Sequence, residues 1–119
     1  MKISCYAIIE KEDQIIFTVD EGKLGLKLPG GELEGNELLV DCVKREVQEE
    51  IGLNIEVGNL VSIKNYLNKE NILRLRFYFK AKYLSGEIKV NQGEVQKIIF
   101  VEGTKLADLK EIDFYIPTY

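Results

Sequence analysis

One helical segment, from Glu37 to Ile51, constrains the fold of this 119-residue chain more than any other feature. The segment contains neither glycine nor proline, and its apolar residues recur at helical spacing. Asn36 stands where an N-cap residue is expected, and Gly52 follows where a left-handed residue commonly ends a helix. We therefore predict one long helix between these two residues.

The segments around this helix have the composition of β-strands. Five stretches are rich in Val, Ile, Phe and Tyr: Lys2–Glu10, Gln14–Val19, Ile55–Asn65, Leu73–Tyr83 and Val95–Val101. The polar residues between the first two predict a β-hairpin, and residues 22–36, with five glycines and a proline, predict a long shaped loop. A second, short helix is predicted at Thr104–Lys110. These elements favour the α/β class, with a mixed sheet and helices packed on it.

Length and composition restrict both the domain count and the chemistry. A chain of 119 residues is long enough for one domain with a core, so a single domain over residues 1–119 is expected. The chain has no histidine, which excludes Ser-His-Asp catalysis, Cys-His catalysis and histidine-based zinc sites. Cys5 and Cys42 are expected to be buried, reduced thiols, which suits a cytoplasmic protein.

The net charge and the hydropathy pattern bear on the partners of the chain. The formal net charge is −4, so nothing in the overall charge favours nucleic acid or an anionic membrane surface. No apolar run approaches the roughly 20 residues that a membrane-spanning helix needs. The sequence leaves both a monomer and a homodimer open.

Three glutamates lie on the apolar side of the predicted helix. With about 100° between successive residues, Glu50 falls about 40° and Glu49 about 60° from Glu46, on either side of it. The apolar residues centre about 40° from Glu46, at the position of Glu50. Carboxylates that face inward repel one another and lose hydration, so they need compensating positive charge. Arg45 supplies one charge, and a divalent cation such as Mg²⁺ would supply more; a crowded acidic helix end without a metal is the alternative.

The same residues reproduce a known motif, the Nudix box. The motif is a glycine, five residues, a glutamate, seven residues, and then Arg-Glu-aliphatic-any-Glu-Glu-any-Gly-aliphatic. The matching residues are Gly31, Glu37, Arg45, Glu46, Val47, Glu49, Glu50, Gly52 and Leu53. "LPGG" precedes the box, and "GEVQKIIFV" at residues 93–101 resembles the late loop and strand of the family. The chain is therefore similar to the Nudix hydrolases, and to their small MutT-like members in particular.

The resemblance implies a fold, an activity and a set of catalytic residues. The fold would be an α/β/α sandwich with a loop-helix-loop catalytic motif, and Mg²⁺, or alternatively Mn²⁺, would be required. Glu46, Glu49 and Glu50 would be metal ligands, one of which doubles as the base. Arg45 would orient a glutamate, with Glu37 either as its partner or as a further outer metal contact. Glu94 is a catalytic candidate from outside the box, with a solvated loop glutamate as the alternative.

Further residues are candidates for contact with the substrate: Gly30, Gly31, Lys27, Arg74 and Arg76. The two glycines would let the loop pass close to the helix, where a side chain could not fit. The three cations would meet phosphate, with an exposed strand face as the alternative for the two arginines. Tyr6 and Tyr66 would either stack on a base or pack against the protein.

The sequence departs from the family at the end of the second strand. A basic residue often follows this strand, but Asp20 and Glu21 stand there, and Lys23 or Lys27 would have to replace it. Motifs of specialised subfamilies are absent. The expected substrate is therefore a nucleoside triphosphate, oxidised or not, cleaved to a monophosphate and pyrophosphate. Two alternatives are a non-catalytic nucleotide-binding or sugar-nucleotide-binding module and an RNA 5′-end pyrophosphohydrolase, although the negative charge argues against long RNA contacts.

Overall fold

The computed structural model describes residues 1–20, 22, 25–91, 93 and 95–102. These residues form, in chain order, β1 (Lys2–Lys11), β2 (Gln14–Asp20), β3 (Gly30–Glu32), α1 (Leu39–Ile51), β4 (Asn54–Leu67), β5 (Leu73–Ser85) and β6 (Val95–Glu102). All five predicted strands are confirmed within two residues at each end, and the short strand β3 is an addition. The α/β class is confirmed, and the described residues contain one helix. The helix predicted at 104–110 lies outside the described residues.

The strands form a mixed sheet in the order β4-β5-β1-β2-β6, with β3 paired to β1. β1 is parallel to β5 and antiparallel to β2 and β3. The predicted hairpin of β1 and β2 is confirmed. Its two turn residues, Glu12 and Asp13, have φ angles of 50° and 64°, as a two-residue turn of type I′ requires.

The loop before the helix enters a gap between β1 and β2. The two strands pair only next to their turn, and β2 then continues along β6. The Thr18 N–H donates to the Lys27 carbonyl at 2.7 Å, and the Lys27 N–H donates back to Thr18 at 2.8 Å. The Ala7 N–H donates to the Pro29 carbonyl at 2.9 Å. These backbone bonds hold Lys27 and the adjoining glycines against the sheet, next to the helix.

α1 begins two residues later than predicted. Leu38 precedes it with an extended backbone, at φ −74° and ψ 155°, and no side chain caps the helix, so the prediction of Asn36 as N-cap is wrong. The cause is the side chain of Glu37, which accepts hydrogen bonds from the Glu34 N–H at 3.0 Å and from Arg45. These bonds fold the chain into a loop turn where the first helical turn was expected.

The helix packs on one face of the sheet. Its end is as predicted, because Gly52 has a φ of 74° and its N–H donates to the Gln48 carbonyl at 3.0 Å. The buried cluster on this face comprises Cys5, Ala7, Ile9, Ile16, Cys42, Val43, Val47, Ile51, Leu53, Ile55, Phe79 and Ala81. Both cysteines are buried and free, as expected. Within the described residues no helix is long and apolar enough to cross a membrane.

A second buried cluster contains Tyr6, Ile8, Ile15, Phe17, Leu28 and Tyr78. The strict alternation of β5 accounts for the division between the two clusters, since Phe79 and Ala81 belong to the first and Tyr78 to the second. At the start of the helix, the helical wheel places Leu38 and Val40 on the buried face, but both residues are exposed. Leu38 precedes the helix, and Val40 lies about 80° from the centre of the apolar residues.

Candidate active site

The three clustered glutamates of α1 differ in exposure. Glu50 is 4% exposed, and the side chains of Glu46 and Glu49 are 15% and 49% exposed. The inward orientation predicted by the wheel is therefore correct for Glu46 and Glu50 and wrong for Glu49. Glu49 lies about 100° from the centre of the apolar residues, as does the buried Ile51, so the angle on the wheel alone does not decide which side chain is buried.

Glu50 joins the end of the helix to the glycine loop. Its Oε1 accepts a hydrogen bond from the Gly30 N–H at 2.7 Å, and its Oε2 accepts one from Lys27 Nζ at 3.1 Å. Burial raises the pKa of Glu50 to about 7, although Lys27 and the Gly30 N–H act to lower it. Its two bonds fix the carboxylate in place.

Arg45 donates hydrogen bonds to the other glutamates of the box. Its Nε and Nη2 donate to the two carboxylate oxygens of Glu37 at 3.1 and 2.8 Å, which is a bidentate pair. Its Nη1 donates to Glu46 at 2.9 Å and to Glu49 at 3.2 Å. Its Nη2 also donates to the Glu32 carbonyl at 3.0 Å, which ties the helix to β3. Arg45 thus donates hydrogen bonds to three glutamates, where the resemblance implied that it orients one.

The carboxylate of Glu37 is directed at Arg45 and is largely shielded from solvent. Both of its oxygens accept bonds from Arg45, and Oε1 also accepts the Glu34 N–H. Of the two roles predicted for Glu37, partner of Arg45 or outer metal contact, this arrangement supports the first. The hydrogen bonds from Arg45, followed by the backbone bond, lower the pKa of Glu37 to about 2.

Glu37 should therefore make the stability of the chain depend on acidity. Because its pKa in the folded chain lies below its ordinary value of 4.5, its stabilising contribution is present above that value and is lost as the pH falls towards about 2. In Glu37→Gln, the free energy of unfolding should change less over this range than in the wild type. Urea unfolding at several pH values measures the difference, with the exposed Glu56→Gln as control. If the free energy of unfolding of Glu37→Gln changed with pH as steeply as that of the wild type, the lowered pKa would not belong to Glu37.

The two glycines of the loop are in close contact with their surroundings. A Cβ atom on Gly31 would collide with the carboxylate of Glu46, and one on Gly30 would collide with the Cys5 carbonyl oxygen and with Tyr6. Gly30 also has a φ of 154°. The chain therefore passes where a side chain would not fit, but a side chain on Gly31 would collide with the helix, whereas one on Gly30 would collide with β1.

The three candidate cations lie in different surroundings. Lys27 Nζ reaches the box, where it contacts Glu50 and donates to the Gly30 carbonyl at 3.2 Å. Arg74 lies 3.4 Å from Glu32, which keeps it at β3. Arg76 donates to the Tyr66 hydroxyl at 2.7 Å and lies over the Tyr66 ring. Only Lys27 is brought into contact with a glutamate of the helix.

The two tyrosines have different surroundings. Tyr6 is 6% exposed and stacks on Tyr78 with their centroids 5.3 Å apart, so its ring packs within the protein. Arg76 lies 5.9 Å and Lys27 Nζ 5.7 Å from the Tyr6 centroid. Tyr66 is 38% exposed and keeps part of its surface open to a ligand. A base can therefore stack on Tyr66 but not on Tyr6.

The sequence interpretation missed one residue at this site, Asp20. It was noted only because it replaces the basic residue common in the family. Its Oδ2 lies 4.0 Å from Lys27 Nζ, and its Oδ1 is buried with no hydrogen-bond partner among the described residues. The departure from the family pattern was the signal that could have found it. Two other candidates, Glu94 and Lys23, lie outside the described residues.

The donor atoms suit a hard cation, although no complete site is preformed. Within the described part of the chain, no three acidic or thiol side chains converge as metal ligands. Glu50 Oε2 and the Gly30 carbonyl oxygen nevertheless converge on one positive group, Lys27 Nζ, and the carboxylate of Glu46 borders Gly31. Carboxylate and carbonyl oxygens are the ligands that Mg²⁺ takes in proteins, so the residues present fit the ion.

Comparisons with known proteins identify the family. The family model for the NUDIX domain matches residues 2–117 of the sequence, and the chain therefore belongs to the Nudix family. An 8-oxo-dGTP diphosphatase of Buchnera aphidicola subsp. Schizaphis graminum is 32% identical over 114 residues, which are 92% of this chain and 82% of that protein. The crystal structure of a MutT protein from Methanosarcina mazei Go1 has a TM-score of 0.78 at 23% identity, over 96% of this chain and 86% of that one, and shows the shared fold.

Another relative is much longer than this chain. The NAD-capped RNA hydrolase NudC of Photobacterium profundum is 32% identical over 100 residues, which are 82% of this chain. The matched part is only 36% of NudC, so the chain spans about a third of that relative's length. The family resemblance of the sequence is thus confirmed, while the relatives differ in what their names say they act on.

Proposed function

We propose that this chain is a divalent-metal-dependent pyrophosphohydrolase that cleaves a nucleoside triphosphate to a monophosphate and pyrophosphate. The observation that carries the proposal is the pairing of Glu46 and Glu50 with Gly31 and Gly30. Two inward carboxylates border the two glycines of β3, beside which no side chain would fit, and a cation, Lys27 Nζ, already lies against one of the carboxylates. A divalent ion held by these carboxylates would in turn bind the phosphate oxygens of a triphosphate.

The three clustered glutamates and Arg45 then have separate roles. Glu46 and Glu50 would hold the ion with the Gly30 carbonyl, and Glu49, the exposed glutamate, would add a ligand or take the proton of the attacking water. Arg45 would keep Glu46 and Glu49 in place through its hydrogen bonds to both. A bound divalent ion would neutralise phosphate charge and activate water, which is what hydrolysis of a pyrophosphate bond needs.

The nucleoside would lie towards the opposite face of the sheet. Lys27 and Arg76 approach the same ring, Tyr6, so a path of two cations leads from Glu50 to Tyr66. Phosphate near Lys27 and a base on the partly exposed Tyr66 would match the order of groups in a nucleotide. The Buchnera relative is named as an enzyme of 8-oxo-dGTP, which supports a purine nucleoside triphosphate, oxidised or not, as the substrate.

The similarity to NudC favours a second candidate, hydrolysis at the 5′ end of RNA. Arg74 and Arg76 on β5 would contact the RNA backbone in that case. Binding of RNA phosphates by these cations would weaken steeply with salt concentration.

A panel of substrates tests the proposal and separates it from the alternatives. Purified protein is incubated with nucleoside triphosphates, 8-oxo-dGTP, sugar nucleotides and capped or triphosphorylated RNA, each with Mg²⁺ or Mn²⁺. We expect metal-dependent turnover of free triphosphates that is insensitive to moderate salt. Turnover of RNA alone would favour the second candidate, and calorimetric binding of a nucleotide without any product would favour a binding module.

A further inference from the structure

Lys27 occupies a cage of oxygen atoms supplied by three different elements. Its Nζ lies 3.1 Å from Glu50 Oε2 on α1, 3.2 Å from the Gly30 carbonyl oxygen on β3 and 4.0 Å from Asp20 Oδ2 at the end of β2. The Lys27 side chain is 16% exposed, so these oxygens replace most of its hydration. Two carboxylates and a carbonyl therefore face one partly buried ammonium group.

These oxygens are of the kind that a hard divalent cation binds. An ammonium group and a divalent cation cannot share Glu50 Oε2 and the Gly30 oxygen, because both need the same space and like charges repel strongly in a site with little water. A divalent cation that binds there must displace Lys27 Nζ. The affinity of the site for metal therefore includes the cost of moving the lysine.

Asp20 provides a place for the displaced ammonium. It already lies 4.0 Å from Lys27 Nζ, and its Oδ1 is buried with no hydrogen-bond partner among the described residues. A buried carboxylate oxygen without a partner is costly, so a small movement of Lys27 from Glu50 to Asp20 would satisfy it. The lysine would remain paired with a carboxylate in both positions.

We propose that Lys27 is an internal competitor of the divalent cation, which neutralises Glu50 in the metal-free chain and moves to Asp20 when the cation binds. Lys27 and Asp20 together then set the metal affinity of the site. The proposal rests on the proposed function only in that a divalent cation binds at Glu50. It requires no particular nucleotide.

Binding of Mn²⁺ to the metal-stripped protein, followed by electron paramagnetic resonance of the free ion, tests the competition without any turnover. Lys27→Met should bind Mn²⁺ at least about tenfold more tightly than the wild type, since its side chain cannot compete for the oxygens. Lys44→Met, which removes an exposed lysine from the solvent side of α1, should stay within about twofold of the wild type. Lys27→Gln keeps a hydrogen-bond donor without the charge, and it serves if Lys27→Met does not fold.

A double-mutant cycle separates displacement from a general effect of charge. Asp20→Asn should weaken Mn²⁺ binding in the wild-type background, because the displaced ammonium then has no second carboxylate with which to pair. The same substitution should have little effect in Lys27→Met, whereas two independent charge effects would add. Equal effects of Asp20→Asn in both backgrounds would overturn the movement of Lys27 to Asp20.

Glu50→Gln distinguishes failure of this proposal from failure of the proposed function. Weaker Mn²⁺ binding in Glu50→Gln together with unchanged or weaker binding in Lys27→Met would overturn the competition and leave the metal site standing. Unchanged Mn²⁺ binding in Glu50→Gln would overturn both, because the ion would then bind elsewhere.

Discussion

Glu49→Gln and Glu50→Gln are each expected to lower the turnover of a nucleoside triphosphate by about a thousandfold or more. A bound divalent ion stabilises the charge of the transition state by several kcal/mol, and about 1.4 kcal/mol corresponds to a factor of ten, so an ion that is displaced by the loss of a ligand costs orders of magnitude in rate. Initial rates at saturating metal measure the effect. The exposed Asp41→Asn on the same helix is the matched control and should retain turnover close to that of the wild type.

The two substitutions should differ in their effect on stability. Glu49 is half exposed, so Glu49→Gln should melt close to the wild-type temperature. Glu50 accepts bonds from both the Gly30 N–H and Lys27, and an amide has only one oxygen to serve them. Glu50→Gln should therefore lose about 1–3 kcal/mol of unfolding free energy in metal-free protein. Wild-type turnover in both variants would contradict the assignment of the glutamates.

Arg45→Met is expected to combine a loss of activity with a loss of stability. Without the guanidinium group, Glu37, Glu46 and Glu49 lose their shared partner and repel one another. Displacement of catalytic groups by about 1 Å can cost about a hundredfold in rate, and we expect a fall of at least that size. The unfolding free energy should fall by about 1–3 kcal/mol, less than for a fully buried pair, because the Arg45 side chain is 22% exposed.

Arg45→Lys separates the charge of the arginine from its shape. Lysine keeps the positive charge but cannot form the bidentate bond to Glu37 or reach the other glutamates at the same time. It should recover part of the stability and little of the turnover, as measured by urea unfolding and initial rates on the same preparations. Lys44→Met, at the neighbouring exposed position, should change neither. Full activity in Arg45→Lys would show that the charge alone suffices.

The fold was largely predictable because its strands and helix are marked by local patterns. The alternation along β5 and the polar turn between β1 and β2 required no knowledge of distant contacts. The same holds for Gly52, whose left-handed backbone ends the helix. The start of the helix was not predictable in this way, because Glu37 is held by Arg45, a residue two turns away.

The candidate site was predictable where its residues share one helix. The spacing of Glu46, Glu49 and Glu50 follows from the sequence, but a helical wheel has no sheet beside it and could not show that Glu49 emerges into solvent. The cage around Lys27 joins three elements, and its geometry exists only once the loop enters the gap between β1 and β2. Asp20 was therefore visible only as an unexpected acidic residue.

The most direct test of the account is the identity of the products, followed by phosphorus nuclear magnetic resonance during incubation of a nucleoside triphosphate with the protein and Mg²⁺. We expect the signals of nucleoside monophosphate and pyrophosphate to grow together, to stop on addition of a chelator and to be absent with Glu49→Gln. Formation of nucleoside diphosphate and orthophosphate, or binding of nucleotides across the panel without any product, would contradict the central claim.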